Sequence, residues 1–296
     1  MRVYIVFAIL AYFAFALNSV IDKFLLKKTV REPTTYAFYI GLLSGVAIFL
    51  FPFGLDLPSG KILVLALASG ALFEFALIDF FRSLKLEDTT KVLPAMGALV
   101  PLMTFILSAV IVGERLSGRE LLGLGVLVAG TLVLSARSSL TKHHYRWLGH
   151  VALAAALFAM SFTLAKAVYL EQSFISGLIW TRLGMVAAAL AILVFPRARS
   201  EIFHTTLNIP AGSKALFLSG QLLAAGGGIL QNYAVSIGSV TLVNALQSTQ
   251  FAFLILLSWF FSTFFPHILD EDFSTKSVAS KVTALIIIGW GLWLIS

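Results

Sequence analysis

The sequence contains no cysteine and little charge: only 12% of its 296 residues are Asp, Glu, Lys or Arg, about half the share usual in soluble domains. Without cysteine there can be no disulfide staple, no thiolate metal site and no cysteine nucleophile. The five histidines, at 143, 144, 150, 204 and 267, fall in polar connections or at the ends of apolar runs, and none forms a His-x-x-x-His pair on a helix. No metal and no cofactor are expected. The net charge of +7 comes from 21 cations and 14 anions scattered between apolar runs. No block is long enough to track a nucleic acid, so the cations read as anchors at a membrane interface.

What the chain has in abundance is apolar surface, 59% of residues and a mean hydropathy of +0.96. Such an excess has to be buried in a lipid bilayer. Ten apolar runs can be read off, at about 3–21, 35–53, 62–81, 92–112, 121–135, 148–168, 175–195, 215–235, 241–261 and 282–296. At ~20 residues per span they leave only short connections and no room for a soluble domain. Barrel strands would alternate in polarity over ~10 residues, which Val100–Val112 does not. Helices then remain as the way to satisfy the backbone in lipid.

Arg2 and the Ala14-Phe15-Ala16 step imitate a signal peptide, but the first run has a counterpart in mid-chain. Phe15–Asn18 through Lys23 lines up with Phe158–Ser161 through Lys166, 143 residues later, and the same shift carries Gly41 onto Gly184. Leu86–Leu107 maps onto Ile237–Ser258 and Gly130–Ser135 onto Gly291–Ser296. An odd number of spans per half inverts the second half. The expected fold is therefore an all-α integral membrane protein of ten transmembrane helices, two five-helix inverted repeats at 1–140 and 141–296. That plan recurs in secondary transporters, with substrate held near the midplane between the halves.

Glu74 is the carboxylate deepest in an apolar run, roughly 18 Å into span three at 1.5 Å per residue. Ionisable groups at such depth face a cavity or a partner, which makes Glu74 a candidate for proton coupling or, equally, a structural hydrogen-bonding group. Asp79 and Arg82 fall at i and i+3 and can pair, and Lys166 is placed to snorkel to the interface. In span nine Asn244, Gln247 and Gln250 recur at three-residue steps, within ~120° of one helix face. They line a cavity or bind helices together. Pro94 on span four, Gln231 on span eight, and Asn18 and Ser161 at matching places on spans one and six extend the polar set. Trp180 and Arg182, with Tyr39 as the repeat counterpart of Arg182, could anchor the interface or hold a substrate carboxylate. Ser117-x-x-Glu120 has the form of a capping box. Gly125-x-x-x-Ala129 and the Gly289, Gly291 pair suit close packing or a homodimer contact through spans five and ten.

Leu93-Pro94, Val100-Pro101 and Gly113-Glu114-Arg115-Leu116-Ser117, followed by Gly123 and Gly130, resemble the EamA domain of the drug/metabolite transporter superfamily. The resemblance implies two tandem domains of five helices, a central cavity, and export of amino acids or other small metabolites across the plasma (inner) membrane by a multi-pass protein with no enzymatic activity. The second half departs from the pattern: Ala245 and Ala252 stand in place of the prolines, and Asp270-Glu271-Asp272 lies where the Gly-Glu motif would be. A flippase for lipid-linked intermediates shares the fold, and a membrane enzyme acting on lipid would need a polar cluster that is not visible. Six of the 21 cations lie on the side of the first residue. By positive-inside logic both termini are then outside, whereas the resemblance puts them in the cytoplasm.

Overall fold

The computed structural model describes residues 2–28, 32–87, 89–135, 146–207, 211–264 and 275–296; the acidic segment 270–272 and His143, His144 and His267 lie outside them. All regular structure among these residues is helical: α1 (Val3–Lys28), α2 (Pro33–Ser44), a 3₁₀ helix η1 (Gly45–Phe53), α3 (Gly60–Leu86), α4 (Thr89–Ile111), α5 (Gly118–Ser135), α6 (Arg146–Glu171), α7 (Phe174–Ile192), α8 (Pro196–Leu207), α9 (Ala211–Ile237), α10 (Val240–Ala245), α11 (Gln247–Phe264) and α12 (Thr275–Ile295). Seven segments of the described chain are long and apolar enough to cross a bilayer. The chain is a multi-pass membrane protein.

The ends of the helices follow local chemistry. Pro33 opens α2 after an extended Glu32, where its missing N–H costs nothing. Gly54, at φ 130°, ends η1, a backbone state that side chains resist. The capping box at the start of α5 is formed: Ser117 N donates to Glu120 Oε2 at 2.8 Å and Glu120 N to Ser117 Oγ at 3.3 Å. Arg2 also pairs with Glu120, tying α1 to α5. Glu114 accepts from Ser108 at 2.6 Å and from Thr241, joining α4 to α10.

Three elements differ from simple spans. The second apolar run is α-helical only to Ser44 and continues as nine residues of 3₁₀ helix, long for that conformation. Its outer face is apolar, with Phe49 and Phe53 exposed towards lipid. The ninth run is interrupted at Leu246, which separates α10 from α11. α8, Pro-Arg-Ala-Arg-Ser-Glu at its start, is short and polar and rests against α2.

α3 lies along α6 and α7, and α1 lies along α9 and α11; α4 packs on α6 and α10, α5 on α12, and α2 on α7. Glycines let backbones touch at two seams. Between α3 and α7, a Cβ on Gly70 would collide with the Thr181 carbonyl, and one on Gly184 with the Leu67 backbone. Between α5 and α12, Gly123, Gly130 and Gly291 face Ile295, Ile288 and Leu127, while Gly125 and Gly289 have open space beside them.

Candidate functional site

The α3–α6 contact carries a reciprocal pair of hydroxyls. Ser69 Oγ donates to the Ser161 carbonyl at 2.9 Å, and Ser161 Oγ returns a bond to the Ser69 carbonyl at 2.8 Å. Both side chains are buried. Replacing either serine by alanine is expected to cost about 1 kcal/mol, and the double variant less than the sum, because the two bonds share one helix spacing. Thermal unfolding of the four proteins in detergent checks this; full additivity would show that the bonds act independently.

Beside this clamp α3, α6, α7 and α9 line a small, partly open cavity of about 20 Å³ with Ser69, Phe73, Ser161, Phe162, Arg182, Met185 and Asn232 among its walls. Arg182 lies eight residues into α7, about 12 Å from its start. Its guanidinium stands over the Phe73 ring, 5.8 Å from the centroid, and its Nη1 lies 3.1 Å from the Met185 thioether. Tyr169 donates to Asn232 Oδ1 at 2.9 Å, and Asn232 in turn donates to the Gly228 carbonyl at 2.8 Å, fixing the α9 wall.

A second polar group joins α1, α4, α9 and α10. Gln231 Nε2 donates to Tyr12 OH at 3.1 Å, and Asn244 Nδ2 donates to Thr104 Oγ1 at 3.3 Å. Gln250 Nε2 reaches Ser19 on α1 at 3.1 Å. In this conformation these amides bridge helices. Because of the break at Leu246, Asn244 and the two glutamines belong to different helices. Asn18 is buried on α1, and a Cβ on Gly220 of α9 would lie 2.7 Å from its Oδ1.

Glu74 stands apart from both groups. It is fully buried, and a Cβ on Gly41 would meet its carboxyl and Ala189, so it occupies the junction of α2, α3 and α7. Neither carboxyl oxygen has a hydrogen-bond partner among the described residues. Tyr39, on α2, stacks edge-on with Phe38. Trp180 turns away from Arg182 and donates to the Asp56 carbonyl at 3.0 Å, and Pro94 is buried in α4.

Lys166 does more than snorkel. Its Nζ donates to the carbonyls of Val235, Ser236 and Gly238 at 2.9, 3.1 and 2.8 Å, closing the C-terminal end of α9. At the other membrane face Asp79 accepts from Arg82 at 3.4 Å, as the i, i+3 spacing predicts, and also lies 2.8 Å from His150 Nδ1 on α6. The sequence reading did not single out Ser69, Phe73 or Met185. The one signal that could have found them is the small-residue step Ser69-Gly70, one turn before Glu74.

An all-helical, polytopic bundle with ionisable groups at membrane depth has the features of a membrane transporter. The comparison with known families makes the class particular: the model of the EamA-like transporter family matches residues 2–136. Over those residues the chain is similar to the EamA-like transporter family, which belongs to the drug/metabolite transporter superfamily and whose members are transporters and not enzymes. No curated protein matches the sequence. Among solved structures, one crystal structure aligns over 99% of this chain and 95% of its own at a TM-score of 0.62 and 19% identity. That likeness concerns the fold.

Proposed function

We propose that the chain is a secondary active transporter that exports small metabolites such as amino acids across the plasma (inner) membrane, through a cavity between two inverted repeats, 1–140 and 141–296. With α2 and η1 taken as one crossing, α10 and α11 as another, and α8 as a surface helix, the chain crosses ten times. The pattern of helix packing carries this reading. α3 on α6 has its counterpart in α9 on α1, and α4 on α6 in α11 on α1, while α2 with α7, α4 with α10 and α5 with α12 pair across the pseudo-two-fold axis. Gly125 and Gly289, open on the outer faces of α5 and α12, leave room for a second copy to approach.

Glu74 is the coupling residue in this reading. A carboxyl without a hydrogen-bond partner, buried between helices that must move, can bind a proton in one state and release it in another. Proteoliposomes containing only this protein, a panel of labelled amino acids and other small organic acids, and an imposed pH gradient test the proposal. Uphill accumulation of the solutes that bind together with a proton should require the gradient, and Glu74→Gln should keep their exchange while abolishing accumulation, since Gln retains the shape and hydrogen-bonding capacity of the protonated acid but cannot cycle a proton. Gradient-driven accumulation by Glu74→Gln equal to wild type would remove Glu74 from coupling. Movement of a lipid-linked sugar, and of no soluble solute, would point to a flippase instead.

A further inference from the structure

Two ionisable groups flank the α3–α7 seam, Glu74 fully buried and Arg182 partly buried, and neither has an ionic partner among the described residues. Arg182 faces α6 and α9 across Phe73, whereas the neighbouring residue on α3, Glu74, faces α2 and Ala189. Gly70 and Gly184, one turn or less from each, bring the two backbones into contact between them. No ion pair joins Arg182 to Glu74. The elements packed around Glu74 offer it little else: α2 contributes the phenols Tyr36 and Tyr39 with Glu32 at its N-cap, η1 has no charged residue, α7 has Arg182 alone, and α3 has Lys61, Asp79, Arg82 and Lys85 towards its ends.

A low-dielectric interior tolerates such charges only in combinations close to neutral. A guanidinium and an ionised carboxyl balance each other. Once a proton sits on Glu74, Arg182 is left in excess, and an anion at Arg182 restores the balance. The converse also holds: an anion cannot settle against Arg182 while Glu74 is ionised without leaving one negative charge over.

We infer that the Arg182 pocket receives the carboxylate of a monoanionic solute and that Glu74 takes up one proton with it, so that carboxylate and proton cross together without net charge. The chemistry of the pocket selects a carboxylate. The guanidinium fork has donors left beyond the thioether contact and matches two carboxylate oxygens in its own plane, and Phe73 and Phe162 offer an apolar wall for the rest of an organic acid. The cavity of about 20 Å³ is water-sized, so the solute enters as α9 yields. α9 packs chiefly on α1 and more lightly on α6 and α7. The step balances: one carboxylate and one proton leave the same aqueous phase, no bond forms except O–H on Glu74, and both are released on the far side in the direction their combined gradients set.

The cycle rests on the transporter reading, but the binding step does not, so it is tested on purified protein in detergent. Benzoate, butyrate, L-leucine, chloride and tetraethylammonium are titrated into weakly buffered protein, with binding read by calorimetry and proton uptake by an indicator dye. Benzoate and butyrate are expected to bind with one proton taken up per anion. L-leucine, which carries its own ammonium, is expected to bind with none. Arg182→Gln should weaken carboxylate binding by about tenfold to a hundredfold, and Arg182→Lys, which keeps the charge and loses the fork, should fall between. Glu74→Gln should bind carboxylate but take up no proton. Carboxylate binding unchanged in Arg182→Gln, wild-type binding without proton uptake, a preference for tetraethylammonium, or no binding at all would each overturn the inference. Chloride binding as well as butyrate would reassign the pocket to inorganic anions. Failure of transport with these binding results intact would count against the carrier reading and leave the site standing.

Discussion

Gly184→Ala is expected to lose about 3 kcal/mol of stability, although it adds one methyl group. The new Cβ would press on the carbonyl and Cα of Leu67, and the facing position, Gly70, is closed in the same way by the Thr181 carbonyl and the Met185 amide. Backbone cannot rotate aside as a side chain can, so α3 and α7 must separate along their length, which also loosens the walls of the Arg182 pocket and of the Glu74 junction. Gly70→Ala should cost a similar amount, and the double variant less than twice as much, because one separation relieves both clashes. Gly226 is the internal control. A Cβ there meets nothing within 4 Å, and alanine should be neutral or stabilising by about 0.5–1 kcal/mol. Thermal unfolding in one detergent compares the three single variants. Equal melting temperatures for Gly184→Ala and Gly226→Ala would mean that the α3–α7 seam is not the close contact described.

The second large effect is expected at Lys166. Its ammonium serves three carbonyls at the end of α9, and Lys166→Met removes all three bonds while keeping most of the apolar stem. The loss should be about 3 kcal/mol, or a melting temperature lower by roughly 6–12 °C. The damage should be local to the α9–α10 turn, where Thr241 also holds Glu114. Amide exchange should therefore rise first in residues 235–242. Uniform exchange over the whole chain, or no change in melting temperature, would show that water satisfies these carbonyls as well as the ammonium does.

The two sites differed in how far the sequence announced them. Depth in an apolar run was enough to single out Glu74 and to make ionisable groups inside spans conspicuous. The surroundings of Glu74 were not readable, because the space its carboxyl fills is left by Gly41, a residue with no side chain to announce it. Trp180 and Arg182 look like one group in sequence, yet two residues along a helix turn by ~200°, and the structure sends them to opposite faces. The three amides of span nine share a face only if the helix is unbroken. Nothing in Val243–Gln250 marks the break, since neither Gly nor Pro is present. Ser248 and Thr249, whose hydroxyls donate to the carbonyls of Ala245 and Leu246 at 3.0 and 2.7 Å, are ordinary residues whose role as local competitors for the backbone shows only in place. The apolar runs themselves, the Asp79–Arg82 pair and the capping box of α5 were legible because each depends on spacing along a single helix. The Ser69–Ser161 clamp and the three bonds of Lys166 depend on helices meeting, which hydropathy does not encode.

The 3₁₀ half of the second crossing has a mechanical consequence. Nine residues rise ~18 Å in a 3₁₀ helix at 2.0 Å each, against ~13.5 Å in an α-helix at 1.5 Å each. The segment Gly45–Phe53 thus carries a reserve of length of about 4.5 Å. Up to Pro52, which has no N–H to donate, shortening it requires a change of backbone partner from i−3 to i−4, and its apolar outer face stays in lipid throughout. A thicker bilayer favours the extended form and a thinner one the contracted form. Gly41 lies one turn before this segment on the same chain, against Glu74, so the thickness of the surrounding membrane bears directly on how tightly the buried carboxyl is held.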